Sequence, residues 1–361
     1  AGPGDSPGRA GASPGEAGPL PDGGYDERGA GRYLAYARVA YCRDNSILDW
    51  TCGDMCDDAE ARNAKVTMIG PGKIVGVRGF VAYLPDTGTC VLSFHRASNS
   101  VTWAIDTFSS TRAWPPGRVS WCPQCEIHHH FATAYEEIRT ELFEAVHRSR
   151  CSDIHVAGHS VGAAVATVAT MDLRGHGRRV ASLWTFGSPR VGNLAFSRAF
   201  AAAAGRQGVV PSWRVVHYHD PVPHGGSSGA YTHVPVQVYY RTREYSGRPS
   251  SFVVCPWTPE APENASCGLG RLGNGDIMDG VVKGDHEMYL NKPFILAKMN
   301  SHCRQENRCK NYGFYKRDVL LLVIPVAFGL GIMACLVVQW CQENFRRIHV
   351  QVEMLPRRTY G

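Results

Sequence analysis

The stretch DIHVAGHSVGAAVATVATMDLRG, residues 153–175, constrains the fold more than any other part of the chain. It reads as an apolar strand, DIHVAG, running through Gly-x-Ser-x-Gly into a helix, VGAAVATVATMDLRG. Gly158 and Gly162 flank Ser160 two positions away on either side. Small residues there let a strand and a helix approach across a tight turn whose tip presents the serine. A dinucleotide-binding fingerprint is excluded, because Gly-x-Gly-x-x-Gly needs glycine where Ser160 stands. Two readings stay open on this stretch alone: a nucleophile at Ser160, or a glycine-rich turn that only packs a helix on a sheet.

The surrounding pattern predicts an α/β domain. KIVGVRGFVAYL and TCVLSFH read as strands. FATAYEEIRTELFEAVHRS reads as an amphipathic helix, with Phe131, Tyr135, Ile138, Leu142 and Val146 at spacings of three and four. After the Ser160 turn come strand VASLWTFGSP, a helix over Leu194–Gly205, and strands WRVVHYHD and PVQVYY. Strands alternating with helices predict a mostly parallel central sheet, in a domain spanning residues 31–310.

The two ends of the chain differ from this middle. Residues 1–30 are rich in Gly, Pro and Ala, with almost no large apolar side chains, which predicts an unstructured segment. Val319–Trp340, VLLLVIPVAFGLGIMACLVVQW, carries no formal charge. As a helix it is long enough for a hydrocarbon core of ~30 Å, so a transmembrane helix is expected over residues 319–340. A buried soluble helix rarely runs this long without polar residues, and a cleaved lipid-anchor signal would end on its apolar tail rather than continue into residues 341–361. Charge does not decide orientation, since Arg304, Arg308, Lys310, Lys316 and Arg317 precede the span and Arg346, Arg347, Arg357 and Arg358 follow it.

Thirteen cysteines are many for a reduced cytosolic enzyme. Together with the sequon Asn264-Ala265-Ser266 they predict a glycosylated, disulfide-bonded domain on the lumenal or extracellular side of a secretory-pathway or cell-surface membrane. Residues 341–361 then form a basic cytosolic tail. Several cysteines are close neighbours, Cys52 with Cys56, Cys122 with Cys125, Cys255 with Cys267 and Cys303 with Cys309, but spacing does not fix connectivity. Cys122 and Cys125 with His128, His129 and His130 invite a zinc reading. No second cysteine pair lies nearby, so no metal is expected and a loop disulfide or exposed thiols are preferred. The net charge of +6 lacks the clustered Lys/Arg stripe of a nucleic-acid binder.

A serine hydroxyl needs a histidine base, and the base an orienting acid. On a strand-turn-helix nucleophile the order along the chain is Ser, Asp or Glu, then His. Asp220 stands where the strand WRVVHYHD runs out into a Pro/Gly loop, although Asp before Pro221 is also an ordinary turn signal. His224, His233, His286 and His302 follow it. His224 is very close in sequence, His233 reads as entering a strand, and His302 beside Cys303 reads as framework. His286 lies in a loop after the last strand, which suits a base reaching back to Ser160.

From about Tyr41 to Cys303 the chain resembles the class 3 lipases, α/β-hydrolases that include the triacylglycerol lipases of filamentous fungi. GHSVGAAVA, TFGSPRVGN, RVVHYHDPVPH, YTHVPVQVYY, GDHEMYL and EIHHHFATAY match the family's segments in order. The resemblance implies a triad of Ser160, Asp220 and His286, and disulfides Cys42–Cys303, Cys52–Cys56 and Cys255–Cys267. It leaves Cys90, Cys122, Cys125, Cys151 and Cys309 unassigned. It also implies an oxyanion hole from the backbone N–H groups of Ala97 and Val161. SFHRASNSVTWAID places Trp103 and Asp106 on a lid over residues 98–108, whose alternative reading is an ordinary amphipathic connection. Four positions depart from the family's pattern: Ala97 lacks the usual hydroxyl, His95-Arg96 replaces Arg-Gly, and His130 replaces Gly.

The implied protein is a membrane-anchored serine ester hydrolase acting on acylglycerols at a lipid interface. It needs no cofactor and has its own transmembrane helix as anchor. The alternatives are a phospholipase A1, an esterase for soluble esters, and an inactive lipid-binding module.

Overall fold

The computed structural model describes residues 24–96, 110–115, 122–206, 212–224, 230–245, 252–258, 260–263, 267–268, 273–294 and 303. All of them lie in the first of the chain's two units, Ala1–Gln305. The helices are α1 (Glu27–Val39), α2 (Asp44–Leu48), α3 (Asp54–Asp58), α4 (His129–Ser149), α5 (Val161–Gly175), α6 (Leu194–Arg206) and α7 (Asn274–Lys283). The strands are β1 (Lys65–Ile69), β2 (Val77–Leu84), β3 (Thr89–Arg96), β4 (Thr111–Ala113), β5 (Glu126–His128), β6 (Ile154–His159), β7 (Val180–Phe186), β8 (Ser212–His217), β9 (Gln237–Tyr240), β10 (Phe252–Val254), β11 (Met288–Tyr289) and β12 (Lys292–Pro293).

Eight strands form one sheet in the order β1-β2-β3-β6-β7-β8-β9-β10. The run β3-β6-β7-β8-β9 is parallel throughout, and antiparallel partners extend it at both edges. This is the α/β architecture with a mostly parallel central sheet expected above. Strand alternation divides the core into two layers. Leu92, Phe94, Val156 and Leu183 face α4, α5 and α6, whereas Val91, Ala157, Trp184 and Phe186 face α1. Asp172, buried on α5, accepts from Tyr135 Oη at 2.6 Å and Arg139 Nε at 2.6 Å, so a paired carboxylate ties α4 to α5.

Residues 27–30, expected to be unstructured, are helical, because α1 starts at Glu27. The Asp26 side chain accepts from the N–H groups of Arg28 and Gly29, capping the helix, and the Tyr25 ring packs edge-on against Trp213 and Phe252. The pattern also gave no sign of α7. Its sequence NGDIMDGVVK has two glycines, each costing about 1 kcal/mol in a helix, and packing on a segment distant in sequence helps to offset that. Gly280 packs so tightly on the end of β8 that a Cβ there would lie 1.8 Å from the His219 carbonyl oxygen. His233, read as entering a strand, instead lies buried before β9 and donates from Nε2 to Pro223 O at 2.8 Å.

Among the described residues no helix is long and apolar enough to cross a membrane. The expected span Val319–Trp340 and the tail 341–361 lie outside them.

Candidate active site

Ser160 sits between β6 and α5 with φ 58° and ψ −129°, a left-handed backbone that costs a non-glycine residue about 1–3 kcal/mol. Its surroundings enforce that conformation. Ser160 N donates to Phe186 O at 3.0 Å, and Ser160 O accepts from Ala163 N at 3.0 Å. A Cβ on Gly158 would lie 2.5 Å from Gly162 O, and one on Gly162 would lie 2.0 Å from Phe94 O. The two glycines are therefore required by the approach of helix to strand. The turn places the Val161 N–H at the first position of α5, where helix N–H groups point outward and the helix dipole favours negative charge.

Asp220 follows β8 by three residues, and His286 lies in a single 3-10 turn, Asp285–Glu287, between α7 and β11. The chain brings all three expected residues together. His286 Nε2 is 2.8 Å from Ser160 Oγ, and His286 Nδ1 is 3.0 Å from each Asp220 carboxylate oxygen. A carboxylate can only accept, so Nδ1 carries the hydrogen and Nε2 accepts from the serine hydroxyl. Asp220 is fully buried. Burial alone would push its carboxyl up. The His286 ring, the Tyr289 hydroxyl and the Val222 N–H (2.9 Å) outweigh burial and hold it below the usual range. Tyr289 Oη donates to Asp220 Oδ2; burial, then the Asp220 charge, keep that hydroxyl protonated.

Several residues that the sequence did not single out fix this geometry. Arg243 grips Asp285, the neighbour of His286, through Nε to Oδ1 at 2.7 Å and Nη2 to Oδ2 at 3.0 Å, and its guanidinium lies 5.0 Å from the centre of the Tyr218 ring. The buried His217 imidazole lies 2.9 Å from Asp285 O and 2.7 Å from Arg243 O. On the acid's side, Arg190 Nη1 donates to His224 O at 3.0 Å and forms a two-pronged pair with Glu263. Arg190 lies in TFGSPRVGN, and Tyr289 lies three residues after His286, so the matched segments contained these supports without revealing their partners. Arg243 lies in none of those segments.

The structure joins Cys42 to Cys303, Cys52 to Cys56 and Cys255 to Cys267, and adds Cys90–Cys151 and Cys122–Cys125. The Cys122–Cys125 bond occupies both sulfurs of the considered zinc motif. His128 Nδ1 instead accepts from His130 N at 3.2 Å, capping α4. Among the described residues one group of ligand-type side chains converges, His219 with Asp279 and Asp285, and Arg243 supplies the positive charge there. Ala97, Trp103, Asp106, Asn264, His302 and Cys309 lie outside the described residues.

Residues 92–227 match the family model for class 3 lipases. The secreted mono- and diacylglycerol lipase A of Penicillium cyclopium is 33% identical over 174 residues, which cover 46% of this chain and 53% of that protein. The secreted mono- and diacylglycerol lipase 1 of Fusarium solani is 32% identical over 198 residues, covering 53% and 56%. The chain thus spans about half the length of the curated relatives it matches. Among solved structures, a mutant form of the Penicillium cyclopium enzyme superposes with a TM-score of 0.59 at 26% identity, covering 74% of this chain and 97% of that one. A lipase from Rhizopus microsporus var. chinensis gives a TM-score of 0.61 at 22% identity, covering 78% and 92%.

Proposed function

We propose that the chain, whose residues 92–227 match the class 3 lipase model, is a serine ester hydrolase of that family that cleaves acylglycerol ester bonds through Ser160, His286 and Asp220. The observation that carries this reading is the relay of contacts from the strained Ser160 through His286 to the buried Asp220. Ser160 Oγ attacks the ester carbonyl carbon while His286 Nε2 takes its proton. The oxyanion that forms lies at the N-terminus of α5, where the Val161 N–H stabilises it, with Ala97 as the second donor. Collapse of the intermediate passes the proton from His286 to the leaving alcohol and leaves an acyl-enzyme. Water then attacks by the same route and releases the fatty acid. Asp220 holds the imidazole in the required tautomer and stabilises the imidazolium. No metal or organic cofactor takes part.

A lipid surface, rather than a dissolved ester, is favoured by α7. Met278 stands one turn before Val281 and Val282 on this helix, and the three are 60%, 54% and 76% exposed. The helix leads through Gly284 into the turn that carries His286, so the apolar stripe lies on the segment next to the base. Residues 98–108, with Trp103 and Asp106, form a lid over the cleft. Val319–Trp340 anchors the chain in a membrane of the secretory pathway or cell surface. The five disulfides, and glycosylation at Asn264, fit a domain on the lumenal or extracellular side.

The test compares wild type and Ser160→Ala, full length in detergent, on emulsified triacylglycerol, phosphatidylcholine and a soluble short-chain ester. Ser160-dependent turnover of the emulsion is the expected result. Preference for phosphatidylcholine indicates a phospholipase, and turnover of the soluble ester alone an esterase. No Ser160-dependent turnover on any of them would leave an inactive lipid-binding module.

A further inference from the structure

His159, the residue between Gly158 and the nucleophile, makes more contacts with the base than packing requires. It is 3% exposed, and its Nε2 lies 2.7 Å from the backbone oxygen of His286. A carbonyl oxygen only accepts, so Nε2 carries the ring hydrogen and Nδ1 is bare. Nδ1 lies 2.6 Å from the Tyr41 hydroxyl, which therefore donates to it. The ring also stacks on Phe294, with centroids 3.7 Å apart and planes 9° apart, and on the His286 imidazole, at 4.6 Å and 29°. Phe294 is itself tied to the base's turn, since Phe294 N donates to Glu287 O at 2.8 Å. One imidazole thus meets the carbonyl of His286, the ring of His286 and the residue that closes its loop.

We propose that His159 is a positioning residue for the base, holding the backbone and ring of His286 so that Nε2 faces Ser160, with Tyr41 fixing the tautomer that makes this possible. The inference rests on the triad reading of the preceding subsection. The chemistry explains why a histidine serves here. Position 159 must donate to a carbonyl, present a flat face to an imidazole that becomes charged, and remain neutral while doing so. A phenylalanine supplies the face without the donor, and a lysine or arginine the donor with a repelling charge. Burial, reinforced by the charge His286 acquires, pushes His159 well below the ordinary imidazole range, so it does not compete for the serine proton. Arg78, behind His95, is a cation near the stack. The acids that face it are Asp220, beyond His286, and Glu287, whose charge Tyr41 senses.

The test uses the full-length protein in detergent with a soluble ester and a fluorophosphonate that labels a base-activated serine. His159→Phe keeps a flat ring and loses the donor. It is expected to lower kcat and the labelling rate about 10- to 100-fold, the scale on which small misplacements act, with KM changed less than about two-fold. His159→Gln restores a donor and is expected to recover part of the loss. Tyr41→Phe releases the tautomer; in protein labelled with 15N-histidine, the Nε2–H signature of His159 seen in wild type is expected to become mixed. This spectrum carries the test if His159→Phe does not fold. A merely structural role predicts a lower Tm with kcat per folded molecule unchanged, and that result overturns the proposal. So does a wild-type spectrum showing the hydrogen on Nδ1. Wild type that shows neither labelling nor turnover overturns the hydrolase reading and this inference with it, whereas active wild type with an unaffected His159→Phe overturns the positioning role alone.

Discussion

Gly187 lies directly against Asp220. A Cβ on Gly187 would stand 2.7 Å from Asp220 Oδ2, 2.9 Å from Tyr289 Oη and 3.0 Å from His286 Cε1, and its φ of +60° already disfavours any other residue. Gly187→Ala is therefore expected to displace the acid and lower kcat on a soluble ester about 100-fold, with a loss of stability of about 1–3 kcal/mol. Kinetics with a parallel denaturant melt check both, and unchanged kcat would contradict the contact.

Tyr289→Phe removes a donor to a buried carboxylate. A hydrogen bond to a charged group contributes about 1.5–3 kcal/mol, and a loss in that range is expected. The sign for pH follows from the direction of the Asp220 shift. Its folded carboxyl is held below the unfolded value, so its stabilisation is complete above the unfolded value and disappears as pH falls through the folded one. Losing the Tyr289 donor raises the folded value, so the acid limb of stability in the variant should move to higher pH. Tm measured as a function of pH gives the comparison.

Glu263 makes a similar contribution away from the reacting atoms. Burial alone would raise its carboxyl, but the Arg190 guanidinium and the His233 N–H hold it at about 2, against an ordinary value of 4.5. The pair then stabilises fully above about pH 4.5 and is lost progressively toward pH 2. Glu263→Gln should be less stable than wild type at pH 6 and nearly equal to it at pH 2, with the gap closing in between. A constant gap would show that the pair's charge contributes nothing.

Reduction or replacement of Cys90–Cys151 tests a link that spacing did not suggest. It closes a loop of 61 residues, for which chain entropy predicts about 4 kcal/mol. The double Cys→Ala variant should have a lower Tm and keep its Ser160 chemistry once folded.

Met278→Ser, Val281→Ser and Val282→Ser combined should lower turnover of emulsified lipid at least about 10-fold while leaving the soluble ester nearly untouched. These exposed side chains contribute little to the core but supply apolar area for a lipid surface. Equal losses on both substrates would place the stripe in the fold rather than at the interface.

How much of this was legible in the sequence depends on how local each feature is. The strand, turn and helix around Ser160 were readable because 3.6-residue and two-residue periodicities lie in consecutive residues, as was α4 with its apolar stripe. Helix α7 was not, since its glycines argue against a helix and its packing on His219 joins residues 61 positions apart. Asp220 and His286 were reachable through chain order and family resemblance, and sequence order alone left four histidines open. His233 shows why: only the fold reveals that its imidazole is committed to the Pro223 carbonyl. Arg243, Tyr41 and His159 act through contacts between distant segments, which no spacing rule encodes.

The Cys42–Cys303 bridge has a mechanical consequence. It links residues 261 positions apart, and Cys42 is the immediate neighbour of Tyr41. Tension applied to the chain beyond residue 303 is delivered through this covalent shortcut to the end of α1, bypassing the hydrogen-bonded strands of the sheet. Next to Cys42 on that load path, the Tyr41 hydroxyl donates to His159, one residue from Ser160.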